Sequence, residues 1–227
     1  MNEQPSETPK RKLLSILGTG GAIVVILIAA AIGKVVGRQG AKAIFNRDST
    51  SSAPAHFTEA SWARRTIQDI ALDAPFDFGA GPDITARIPQ TLRDAIDYFE
   101  IYQSRGGSSF AVFISRIAYK PQVELSLDGS VRGAMTQIAA EAGDSNPQYS
   151  SSTTTISGLE ARTASYQGTV SGRTMHSEAA FVRHGQKLWQ VQVIYLSDRT
   201  GKVVIPAQFD SSAGDASRIL RSIAITP

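Results

Sequence analysis

The run Lys187-Leu-Trp-Gln-Val-Gln-Val-Ile-Tyr-Leu196 sets Trp189, Val191, Val193 and Tyr195 in alternation with Gln190 and Gln192. A period of two is the pattern of a strand that buries one face, with successive side chains on opposite sides of the pleat. Trp189 and Val191 are therefore expected in the core and Gln190 on the far side. Working outward, His184-Gly185-Gln186 is a compact turn that joins this strand to a strand-like run over 174–182. Before that, residues 153–156 lead through a Ser157-Gly158 turn into a long run over 160–170. Four such runs joined by short turns make an antiparallel meander.

Helical stretches flank the meander. Residues 130–142 place Val131, Ala134, Met135, Ile138, Ala139 and Ala142 on one stripe, with Asp128 and Ser130 as candidate N-caps and Gly143 as the stop. Residues 215–223 repeat the pattern with Ile219, Leu220 and Ile223 inward. Upstream, 70–78 and 109–119 read as strands, and 92–99 as a helix or a helix-to-strand transition. Helix, meander and closing helix make an α+β fold, an antiparallel sheet packed by helices. Ile156-Ser-Gly-Leu-Glu-Ala161, the hairpin into Leu188-Trp-Gln-Val191 and the terminal Ile219-Leu-Arg-Ser-Ile223 resemble the PsbP-like fold family over about residues 65–225. That family includes the extrinsic photosystem II subunit and the bacterial DcrB-like envelope proteins. The resemblance implies a PsbP-like sandwich and a binding or assembly module at a membrane surface, and it brings no catalytic group to carry over.

The N-terminal quarter has a different composition. No charged residue occurs between Lys12 and Lys34. At 1.5 Å per residue the run 13–33 would form a helix of roughly 30 Å, the thickness of a hydrocarbon core. It is read as a transmembrane helix behind a tail at 1–12, followed by a basic juxtamembrane segment and linker at 34–56 and a soluble domain at 57–227. The rival is a cleaved signal peptide with Ala29-Ala30-Ala31 as its processing site, but the apolar run exceeds the usual h-region and lacks a polar end. A short tail before a large domain is the layout of a signal anchor, which places the domain outside the cytoplasm, in the periplasm. Lys34, Arg38 and Lys42 oppose that orientation, since they form one basic stripe suited to an anionic cytoplasmic leaflet. Lys10, Arg11, Lys12, Lys34, Arg38 and Lys42 are the expected headgroup contacts, and the bilayer is the first expected partner. Gly33 and Gly37 form a GxxxG, the spacing of a helix-mediated dimer, although a glycine-rich span produces it by chance as well.

Charge and composition exclude more than they assign. The 227 residues carry a formal charge of +3, but 7 basic and 2 acidic residues lie at or before Arg47, against 16 basic and 17 acidic after His56. The domain is near neutral and offers no net field for a polyanion, so no nucleic-acid partner is expected. The absence of cysteine excludes disulfides, thiolate catalysis and Cys-ligated metals. His56, His176 and His184 fall in a linker, a strand and a turn, without ligand spacing. Gly168-Thr-Val-Ser-Gly172 has its serine one place late for a nucleophile elbow, and Gly18-Thr-Gly-Gly21 lacks the lysine of a phosphate loop. Asp69, Asp73, Asp77 and Asp83 lack the spacing of a calcium loop. No catalytic, cofactor or metal site is expected. The function expected is a membrane-anchored, non-catalytic binding or assembly module at the bacterial cell envelope, with a protein partner. The alternative is a tethered small-ligand receptor or hydrolase whose site assembles only in three dimensions.

Overall fold

The computed structural model describes residues 57–81, 90–105, 110–170, 173–196 and 206–227. Its centre is a seven-stranded antiparallel sheet in the order β3-β4-β5-β9-β8-β7-β6. In chain order these are β3 (Gly79–Ala80), β4 (Ile96–Arg105), β5 (Phe110–Tyr119), β6 (Tyr149–Ile156), β7 (Leu159–Val170), β8 (Arg173–His184) and β9 (Lys187–Leu196). The expected meander is present from β6 to β9. Its first hairpin turns at Ser157 and Gly158, both at positive φ (54° and 75°), as the two-residue turn that matches strand twist requires. At the β8–β9 hairpin Gly185 supplies the positive φ and His184 pairs with Lys187.

Both faces of this sheet are covered. From β5, Ala111, Phe113, Ile117 and Tyr119 enter one apolar cluster and Phe110, Val112 and Ile114 the other. Helix α2 (Leu127–Glu141) lies on the first face through Val131, Ala134, Met135, Ile138 and Ala139, all buried. The second face carries helix α3 (Pro206–Arg221) and a three-stranded sheet of β1 (Ala63–Ile67), β2 (Ile70–Ala74) and β10 (Ala224–Ile225), ordered β1-β2-β10. Ile70, Leu72, Trp189, Val191, Ala216 and Ile219 meet in the cluster between them. Each fully buried Ile, Leu or Val contributes roughly 1.5–3 kcal/mol.

The structure corrects three expectations. The α+β assignment, helices packing one sheet behind a membrane helix, gives way to a predominantly β domain. Ten strands in two sheets are described, against two helices of more than one turn, α2 and α3, and a single turn α1 (Gln90–Arg93). The second sheet has its origin in residues at the two ends of the domain, whose pairing (Ala224 with Ala71, Ile225 with Ile70) is too remote in sequence to leave a local pattern. Gln190 and Gln192 are both 1 % exposed, because β9 is an inner strand covered on both sides. The helix cap is Ser126, whose Oγ accepts the Gly129 amide at 3.1 Å, rather than Asp128 or Ser130.

The membrane reading is corrected as well. The run 13–33, its flanking basic residues and the linker lie outside the described residues. Among the described residues no helix is long and apolar enough to cross a membrane. The 15 residues of α2 and 16 of α3 span about 22 and 24 Å, short of a ~30 Å core, and both carry charged side chains. The transmembrane, single-pass and signal-anchor assignments, and the periplasmic placement drawn from them, therefore do not carry forward.

Candidate functional site

Strand β6 reads Tyr149-Ser-Ser-Ser-Thr-Thr-Thr-Ile156, a serine or threonine at six consecutive positions. Alternation sends every second one to the face that α3 covers. Ser150 pairs with Ser165 of β7 and Ser152 with Thr163, and Ser165 and Thr163 pair in turn with Glu178 and Ala180 of β8. Apart from Glu178 these floor residues are short, so a helix standing over them cannot fill the space. Helix α3 buries Ala216 and Ile219 and turns Ser217, Leu220 and Arg221 toward the groove that remains. The groove has a volume of about 450 Å3 and is lined by side chains of β6, β7, β8 and α3.

Its chemistry is that of neutral hydrogen bonding with one charge of each sign at the wall. Ser150 and Ser165 share a hydrogen bond of 2.7 Å, and a hydroxyl can donate and accept at once. The Glu178 carboxylate accepts the Tyr195 hydroxyl at 2.9 Å. Burial, then the Glu178 charge and that hydrogen bond, push the Tyr195 phenol well above its usual range. His176 stacks on Tyr195 with ring centroids 4.9 Å apart and planes 10° from parallel. Burial holds its imidazole below the usual histidine pKa, which favours the neutral form.

A second polar cluster crosses the same face at the β1–β2 turn. Arg116 donates to both Asp69 oxygens, at 2.7 and 3.0 Å, and to Glu100. Asp69 also accepts the Trp189 indole N–H at 2.9 Å. Burial alone would raise the Asp69 pKa, but the hydrogen bonds from Arg116 and Trp189 and the guanidinium charge outweigh it and hold the carboxyl below its ordinary value. With every strong group paired, this cluster fastens the small sheet to the large one. A third polar set, Ser115, Ser177, Gln190 and Gln192, is buried on the α2 face. Gln192 donates to Ser177 at 2.9 Å, while Ser115 Oγ and Gln190 Oε1 have no protein partner.

The residues singled out in the sequence are dispersed. Asp69 belongs to the Arg116 cluster, Asp73 faces Arg64 at 3.2 Å and Asp77 faces Arg65 at 2.9 Å; Asp83 and His56 lie outside the described residues. His184 is exposed at the hairpin, and neither it nor His176 is among the groove-lining residues. Among the described residues no group of three His, Cys, Asp or Glu could hold a metal ion. The six basic headgroup candidates lie outside the described residues. Of the Gly168–Gly172 motif, Gly168 packs under Tyr166, whose hydroxyl would lie 2.3 Å from an added Cβ; Ser171 and Gly172 are outside the described residues. The groove itself was missed, and its one available signal was the six-residue hydroxyl run, read only from 153 onward.

No family model matches this chain, and no curated protein matches it. Solved structures give distant likenesses. LpqN of Mycobacterium tuberculosis, involved in cell envelope biogenesis, is 16% identical, with 73% of this chain and 91% of that one covered, at a TM-score of 0.37. A Pseudomonas aeruginosa protein of unknown function is 13% identical over 73% of this chain and 98% of that one, at 0.36. A Bacteroides thetaiotaomicron protein is 11% identical over 70% of this chain at 0.36, and this chain spans 46% of its length. The PsbP-like expectation is not confirmed by these likenesses.

Proposed function

We propose that the domain is a non-catalytic binding or assembly module whose ligand lies in the hydroxyl-lined groove between β6–β8 and α3. The observation that carries this reading is the make-up of the groove: serine and threonine hydroxyls on the floor, Glu178 and Arg221 at the wall and, among the described residues, no histidine lining it. Such a surface holds a neutral or zwitterionic polar ligand through several modest hydrogen bonds, each worth about 0.5–1.5 kcal/mol net. Acyl or glycosyl transfer asks for a nucleophile held beside an oriented base. Among the described residues, the His176 imidazole is stacked on Tyr195 and buried, and that of His184 is exposed at its hairpin. The PsbP-like resemblance, with its implication of binding modules, points the same way.

The test is a titration of neutral oligosaccharides and short uncharged peptides into the isotope-labelled full chain, followed by backbone amide shifts. The expected result is a set of shifts confined to β6, β7, β8 and the C-terminal turns of α3, weakened in Glu178→Gln and Arg221→Ala. Shifts confined to another surface, or turnover of any probe, would sink this reading.

A further inference from the structure

We infer that β6 is a self-association edge, along which a second copy of this chain adds its own β6 in antiparallel pairing. The two edges of the large sheet are treated differently. One ends in β3, only two residues long. The other ends in β6, eight residues long and mostly exposed, and among the described residues β6 pairs only with β7. An unpaired edge is a template for another strand, and proteins usually blunt one with charges, proline or a short length. Strand β6 contains no charged residue and no proline, and its three threonines favour the extended conformation.

The composition of the edge selects its occupant. A two-fold axis normal to the sheet pairs the strands antiparallel and keeps matching faces on the same side. Ser152 or Thr153 then lies opposite itself. Around Ser152 the axis sets Ser150 against Thr154 of the second copy; around Thr153 it sets Ser151 against Thr155. Every inner pair opposes hydroxyl to hydroxyl, a favourable cross-strand combination, and none opposes like charges. A hydroxyl both donates and accepts, so this surface complements itself, whereas it offers no charge or apolar pocket by which a different chain would be chosen. The 16 basic and 17 acidic residues after His56 leave little mutual repulsion between copies. The association joins two seven-stranded sheets into one and brings the two grooves side by side, but it does not depend on what the grooves bind.

The experiment measures the mass of the full chain by light scattering over a concentration series, for the wild type and for the double variant Thr153→Lys, Thr155→Lys. Both positions are exposed, and circular dichroism checks that the fold is kept. The wild type is expected to dimerise, and the double lysine variant to dissociate about a hundredfold more readily, since the charge at position 153 then meets its own copy directly across an axis through Thr153 and diagonally across an axis through Ser152. Because the chain has no cysteine, Ser152→Cys and Thr153→Cys each introduce a single thiol. One of the two is expected to form an intermolecular disulfide on mild oxidation far faster than Thr136→Cys on the exposed side of α2. A monomeric wild type, a dimer indifferent to the lysines, or equal cross-linking at residue 136 would overturn the inference. So would a monomer whose lysine variant loses its hold on an added extended peptide, which would give the edge to another chain.

Discussion

Replacing Asp69 with asparagine tests how the two sheets are fastened. Asp69 lies in the turn between β1 and β2, next to Gln68 at φ 56°, and accepts three hydrogen bonds, two from Arg116 and one from Trp189. The side chains of Arg116 and Asp69 are 11% and 18% exposed. Removing one partner of a buried pair costs about 3–5 kcal/mol, mostly by leaving the other charge uncompensated. Two features lower that figure: Glu100 still faces Arg116, and the asparagine carbonyl can keep one of the donors. A loss of about 2–3 kcal/mol at pH 7 is expected, read from urea unfolding followed by tryptophan fluorescence. The pH dependence gives an independent check. The folded pKa of Asp69 lies below its ordinary value, so its contribution is complete above the unfolded value of about 3.9 and is lost as pH falls through the folded one. The gap between wild type and variant should therefore hold down to about pH 4 and close as the pH falls further, through the folded value. A loss under about 0.5 kcal/mol, or a gap that persists unchanged into acid, would refute the fastening role.

Trp189→Ala should cost about 3–5 kcal/mol as a large-to-small change in the core, measured by denaturant unfolding. Gln190 is equally buried, so Gln190→Ala should cost about 2 kcal/mol by emptying enclosed volume. Gln190→Met keeps the shape and removes a buried acceptor that lacks a protein partner together with a long 3.5 Å bond donated to Gln192; it should change stability by less than about 1 kcal/mol, and a loss above about 2 kcal/mol would refute the idea that this amide is weakly satisfied. His176 has its pKa lowered by burial, so its contribution is whole above the unfolded pKa of about 6.5 and is lost as pH falls below it. His176→Phe should flatten the fall in melting temperature as pH drops below about 6.5, and an unaltered slope would mean that another group titrates there.

Local rules made the meander legible. The Ser157-Gly158 and Gly185 turns need positive φ, and period-two runs on either side of each turn pair with it, so β6 to β9 follow from residues a few positions apart. The stripe from Val131 to Ala139 declared its helix in the same way, through a period that any helix must show. What the sequence could not declare was which faces are covered, because burial is decided by elements far away in the chain. Glutamines at 190 and 192 look like the wet side of a strand until α2 closes over that face. The short strand at Ala224–Ile225 carries no period of its own and becomes a strand only because Ile70 and Ala71 are there to pair with it. The groove likewise exists because small side chains on three strands lie under one helix, and no single strand's pattern reports a volume that four elements enclose. Alternation and turn chemistry act over neighbours and are written in the sequence, whereas covering and enclosure act across the fold and are settled only when the layers meet.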